Sequence, residues 1–136
     1  MAVLRRLSVA AVTASLAVGV FSGTASAGSY NGVCESSNGG EVCLYDASNT
    51  TGRVYDTLYS KPTYSGTYYG TNVGIDNTVN STWNRDPDTY VYFWQFANYS
   101  GLGLGQAGGT KENWGDLSEA NSWSSHCFSS NSTCPY

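Results

Sequence analysis

Trp94-Gln95-Phe96-Ala97-Asn98-Tyr99-Ser100-Gly101 has a counterpart earlier in the chain, Tyr45-Asp46-Ala47-Ser48-Asn49-Thr50-Thr51-Gly52. Each stretch opens on a ring, closes on a glycine and carries Asn at the same place between them. The likeness extends outward: Val42-Cys43-Leu44 precedes the first as Val91-Tyr92-Phe93 precedes the second, and Asn77 with Ser81 answers Asn121 with Ser125. Two copies of about 45 residues read as a duplicated supersecondary unit. Val42 and Leu44, like Val91 and Phe93, alternate so that one face of a strand enters a core. The Tyr45 and Trp94 rings then stand at strand ends, where each can fold over the following hairpin. Gly52 and Gly101 fall where a folded-back hairpin needs positive φ or close backbone approach. Ser81 and Ser125 are short hydroxyls able to bond such a hairpin from a neighbouring strand.

Around these stretches, short β-branched and aromatic runs alternate with Gly, Asn, Asp and Ser, and no window repeats apolar residues at helical spacing. The pattern predicts eight strands: 41–46, 53–59, 64–69, 78–83, 89–96, 102–106, 113–117 and 122–128. Four antiparallel strands per copy make a Greek key. The expected fold is an all-β sandwich of two four-stranded Greek-key motifs.

The amino end reads as a secretory leader. Arg5 and Arg6 precede an apolar, small-residue run from Leu7 to Phe21, and Ala25-Ser26-Ala27 is a small-x-small cleavage signal. The apolar run is broken by Ser and Thr and is too short to span a bilayer. Residues 1–27 are therefore expected to be removed, leaving one domain at 28–136, secreted and extracellular. The whole chain has 6 basic and 10 acidic residues. Loss of Arg5 and Arg6, with no acid, leaves 4 against 10, a formal net of −6. That balance excludes nucleic acid and anionic membrane as partners, and a solvated acidic monomer is expected.

Cys34, Cys43, Cys127 and Cys134 all follow the expected cleavage point, and secretion would carry them to an oxidising compartment. Four cysteines allow three pairings. Cys34–Cys43 and Cys127–Cys134 are favoured because each pair flanks a Ser/Asn/Gly loop. A zinc site is disfavoured by the spacings and by the single His.

The two quoted stretches resemble the βγ-crystallin Greek-key signature: an aromatic, four residues, an aromatic, one residue, Gly. Trp94, Tyr99 and Gly101 meet it fully, whereas Thr50 takes the second aromatic's place between Tyr45 and Gly52. Within that superfamily, the surroundings of Cys34 and Cys43-Leu44-Tyr45, the Asp76-Asn77 pair and the closing Asn121–Ser125 block are similar to the secreted bacterial peptidase inhibitor family I36. The resemblance implies a non-catalytic inhibitor directed at metallopeptidases. Such a protein offers a rigid loop that enters a protease cleft but is held too firmly to leave. The loop between Cys127 and Cys134 is one candidate, with Phe128 as apolar anchor; the alternative is that this loop only ties down the carboxyl terminus.

The superfamily also implies an alternative reading, an extracellular Ca²⁺-binding or structural module. Its calcium motif, Asn/Asp-Asn/Asp-x-x-Ser/Thr-Ser, occurs twice with one fault each: Asn80 stands in the fifth place of 76–81, and Ala120 in the first place of 120–125. Since the family's motifs exchange ligands, Asp76 and Ser124 would make one weak Ca²⁺ site, or none forms; no cofactor is required otherwise.

Catalysis is not expected. His126 is the single imidazole and adjoins a cysteine expected to be oxidised. Asp86 and Asp88 flank Pro87, a turn pattern. The 11 Tyr and 4 Trp residues would suit stacking on sugars, but a domain this small needs aromatics for its core and hairpins.

Overall fold

The computed structural model describes residues 28–115, 117 and 121–135. The expected leader, 1–27, and Ala120 lie outside the described residues. Among the described residues seven strands form: β1 Val42–Ala47, β2 Thr51–Thr57, β3 Ser81–Asn84, β4 Val91–Phe96, β5 Ser100–Gln106, β6 Lys111–Asn113 and β7 Ser125–Phe128. They make two antiparallel sheets, ordered β2-β1-β3-β6 and β5-β4-β7. Among the described residues the remaining regular elements are two 3-10 turns, Ser37–Gly39 and Ser48–Thr50. The all-β expectation holds.

The core lies between the sheets. β1 contributes Val42 and Leu44, β4 contributes Val91 and Phe93, and Tyr64, Tyr68, Ile75, Val79, Trp114 and Trp123 fill the space between them. Phe93 is fully buried, with its ring centroid 5.7 Å from Trp114 and 6.0 Å from Trp123. Burial of a side chain of this size stabilises the fold by about 2–3 kcal/mol.

The two quoted stretches bend back as equivalent arches. Asn49, Thr50 and Gly52 have φ of 60°, 56° and 82°, and Asn98, Tyr99 and Gly101 have φ of 58°, 57° and 82°. Each arch follows a register shift, between Tyr45 and Ala47 in one sheet and between Trp94 and Phe96 in the other. Ser81 Oγ donates to the Ala47 carbonyl at 2.6 Å and accepts from Thr50 N at 2.9 Å. Ser125 Oγ does the same with Phe96 O at 2.7 Å and Tyr99 N at 3.3 Å. The arches differ where the sequences differ. Tyr99 packs on Trp94 at 5.2 Å, whereas Thr50 has no ring. The first arch is docked instead by Asn113 of β6, which exchanges two hydrogen bonds with Asn49 at 2.6 and 2.8 Å.

Two expectations are corrected. Residues 64–69 do not form a strand. Tyr64 N bonds to Ser124 O just ahead of β7, Tyr68 N to Val73 O in the following loop and Tyr69 N to Val54 O on β2, so the segment finds three separate partners rather than joining one strand. Gly66 interrupts the run and Pro62 and Gly70 bound it closely on either side, which leaves too little continuous chain for a ladder. The expected strand 113–117 is replaced by Lys111–Asn113. Beyond it Trp114 N and Gly115 N both turn to Asn80 O. The halves also exchange members: β6 of the second copy pairs with β3 of the first, while Lys61 of the first bridges His126 on β7.

Candidate functional site

Cys34 pairs with Cys43 and Cys127 with Cys134, each with Cα atoms 5.9 Å apart, ordinary for a disulfide. Cys43 sits on β1 and Cys127 on β7, so each bridge staples a loop to a strand of a different sheet. Both loops border one open groove of about 450 Å³. Asn38, Gly39 and Gly40 come from the first loop, Ser130 and Asn131 from the second, and Leu58, Tyr59 and Ser60 run between them.

Tyr59 is the most exposed large apolar side chain among the described residues, at 68%. Its backbone is nevertheless fixed. Tyr59 N donates to Thr57 Oγ1 at 3.1 Å, and its carbonyl lies 3.0 Å from His126 Nε2. Ser60 Oγ accepts from Phe128 N at 3.0 Å, and Lys61 exchanges backbone hydrogen bonds with His126 at 2.7 and 3.0 Å. The segment thus lies along β7 with one side chain projecting. Nothing in the local sequence signals this; an exposed Tyr is visible only once its neighbours are placed.

His126 is fully buried. A carbonyl only accepts, so Nε2 carries the proton and donates to Tyr59 O, leaving Nδ1 to accept from the Tyr64 hydroxyl at 2.9 Å. Burial, with Lys61 nearby, pushes its pKa down to about 4 despite the Tyr59 hydrogen bond. Tyr64 is raised well above its ordinary value, chiefly by burial. His126 is a neutral brace with both nitrogens engaged, not a base facing solvent.

Phe128 is corrected. Its ring is 5% exposed and belongs to the main core cluster. On β7 His126 and Phe128 face inward and Cys127 outward, so the ring floors the groove and is not available as an anchor. Tyr45 and Trp94 are buried, each two residues before the end of its strand.

Asp76 and Ser124 are brought together through Asn77. Asn77 Nδ2 donates to Asp76 Oδ2 at 3.2 Å, and Ser124 Oγ lies 3.4 Å from Asn77 Oδ1. Asn77 and Asn121 share a left-handed backbone, φ 53° and 55°. Their N–H groups bond across the copies, to Trp123 O at 3.1 Å and Val79 O at 3.3 Å. Ala120, the expected fault of the second motif, lies outside the described residues. Among the described residues no three His, Cys, Asp or Glu side chains gather as for a metal.

Sequence reasoning also missed Glu41, which is fully buried beside the first disulfide. Its Oε2 accepts from Glu35 N at 2.8 Å, and Oε1 has no hydrogen-bond partner among the described residues. Burial raises its pKa to about 7; the Glu35 N–H opposes the shift, and the carboxylates of Asp56 and Glu35 reinforce it.

Residues 21–103, more than half of the chain, match the family model for peptidase inhibitor family I36. No curated protein matches the chain. Among solved structures, one from work on the evolution of the eye lens βγ-crystallin domain fold is similar at a TM-score of 0.59 and 16% identity, covering 72% of this chain and 93% of that one. The N-terminal domain of protein S is similar at 0.51 and 16% identity, covering 65% and 93%. At such identities the likeness shows the fold alone: two antiparallel sheets of βγ-crystallin type.

Proposed function

The chain belongs to peptidase inhibitor family I36, and from that premise we propose that it is a secreted inhibitor of a metallopeptidase that engages its target through the Tyr59 segment. Membership points to a non-catalytic protein with a protease as partner. Two disulfides suit an extracellular protein, and the pattern at 1–27 suits a leader that would deliver it there. The observation that carries the choice of segment is exposure joined to rigidity: a 68% exposed ring on a backbone already bonded to Thr57 and His126, between two disulfide-closed loops. Such a segment pays little ordering cost on binding. It is also hard to draw out of line for cleavage.

The test is inhibition of a thermolysin-like metallopeptidase by the secreted protein, with a serine peptidase in parallel. Inhibition of the first alone is expected, and Tyr59→Ala should weaken it at least tenfold, the range of an aromatic hot spot. Failure against a panel of metallopeptidases removes the target class. Full potency in Tyr59→Ala moves the contact elsewhere.

A second reading is favoured by the Asp76, Asn77 and Ser124 run: one weak Ca²⁺ site. One carboxylate with neutral amide and hydroxyl oxygens fits a hard cation held loosely, and Asn77 would have to release Asp76 to share it. Melting in millimolar Ca²⁺ against chelator tests this, because a ligand of the folded state raises the midpoint. An unchanged midpoint removes the site.

A further inference from the structure

The outward face of the second sheet carries a row of rings that neither reading uses. Along β4, Val91 and Phe93 enter the core, so Tyr92, Trp94 and Phe96 face out. Their neighbours on β5 are glycines: Gly105 is the register partner of Tyr92, and Gly103 of Trp94. A Cβ on Gly105 would come within 2.9 Å of the Tyr92 ring, one on Gly103 within 2.7 Å of Trp94 Nε1, and one on Gly101 within 2.6 Å of the Phe96 ring. Each ring therefore lies across bare backbone, and any side chain at these three positions would lift it. The row runs on at both ends. Tyr90 stacks on Tyr92 with centroids 6.2 Å apart and planes 23° from parallel, Tyr92 is 6.0 Å from Trp94, and Tyr99 covers Trp94.

Exposure and charge narrow what this surface can take. Trp94 is buried among Tyr99, Cys127 and Cys134, while Tyr90 is 50% and Phe96 62% exposed, with Tyr92 and Tyr99 partly so. β4, β5 and β7 read VYFWQF, SGLGLGQ and SHCF and contain no Asp, Glu, Lys or Arg, although the chain carries 16 such residues, 6 basic and 10 acidic. An uncharged surface complements a neutral ligand and offers nothing to phosphate or carboxylate. Aromatic rings also suit a protein interface, but the rings here lie flat over Gly101, Gly103 and Gly105 and form an even platform, and a second copy of the chain is a separate outcome of the test below. The broad C–H face of a pyranose is apolar and slightly positive, so it settles on the negative face of an aromatic ring, and its hydroxyls stay in water at the rims where the Tyr hydroxyls stand.

We propose that the outer face of β4 and β5 binds an uncharged polysaccharide, its sugar rings stacking on Tyr90, Tyr92, Phe96 and the Tyr99 ring that caps Trp94. This site is separate from the Tyr59 segment and would hold the protein on a polymer surface while that segment remains free.

The test incubates the full secreted protein with microcrystalline cellulose and, separately, chitin, and measures what stays in solution. Depletion by either polymer is expected, with retention reduced fivefold or more by Tyr90→Ala and by Phe96→Ala. Both positions are exposed enough that the melting midpoint should hold, and Tyr92→Ala should abolish retention. No depletion by either polymer overturns the proposal, as does full retention in Tyr90→Ala and Phe96→Ala together. Concentration-dependent dimerisation removed by the same substitutions would assign the face to a second copy and overturn it equally.

Discussion

His126 Nε2 donates to the Tyr59 carbonyl at 3.0 Å, so a fully buried imidazole holds the backbone beneath the most exposed ring among the described residues. The contact crosses from β7 to the segment after β2 and spends His126's proton there. Replacing His126 with Ala leaves the Tyr64 hydroxyl and the Tyr59 carbonyl without this partner and opens a cavity. A loss of about 3 kcal/mol is expected, measured by urea unfolding. The freed segment should also become cleavable near Tyr59 during prolonged incubation with the target peptidase, read by mass spectrometry. An intact, equally stable variant would contradict the bracing role.

Glu41 and His126 make opposed contributions to stability against pH. Glu41 is raised from 4.5 to about 7 in the fold, so its stabilisation is complete below pH 4.5 and lost as pH rises through 7. His126 is lowered from 6.5 to about 4, so its stabilisation is complete above pH 6.5 and lost as pH falls through 4. The two windows nearly coincide and the contributions have opposite sign, so they oppose one another between pH 4 and 7. Glu41→Gln should expose a loss of stability toward acid, and His126→Gln a gain. Denaturant midpoints across that range decide it; slopes of the same sign in both variants would refute the pairing.

Ser81 and Ser125 perform one task in two sheets. Each joins an arch at two points, Ala47 O and Thr50 N in one case, Phe96 O and Tyr99 N in the other. Either substitution by Ala should cost about 1–2 kcal/mol, similar in size, and the double variant should be near additive. A cost confined to one serine would show that the arches are alike in shape and unlike in energy.

The disulfides close short loops, with sequence separations of 9 and 7. Removing either by paired Cys→Ser substitution should cost about 2.5 kcal/mol on the chain-entropy account. Both variants should also weaken inhibition, because each loop edges the groove beside Tyr59. Thermal unfolding and inhibition constants provide the two readouts. Lost stability with unchanged inhibition would separate the groove from the contact surface.

What the sequence determined by itself was local or repeated. Val42 with Leu44 and Val91 with Phe93 declared strands by alternation. The two ring-to-glycine stretches declared matching arches because Gly52 and Gly101 must take the left-handed backbone that their φ of 82° records. The cysteines left three pairings open and favoured the two short loops, a choice the structure made.

Only the tertiary structure decided sidedness and partnership. Alternation along β7 says that Cys127 and Phe128 face opposite ways, not which way is inward; the fold over Tyr64 and Phe93 turned Phe128 in. β6 left its own copy for β3, and residues 64–69 shared their bonds among Ser124, Val73 and β2 instead of forming a strand, because backbone hydrogen bonds go to whatever chain lies alongside. The exposure of Tyr59, the burial of Glu41 and the rings lying on Gly101, Gly103 and Gly105 follow from the same cause. Apart from Phe96 on Gly101, five residues away in one arch, each depends on segments separated in the chain meeting, and no local pattern encodes which of them will.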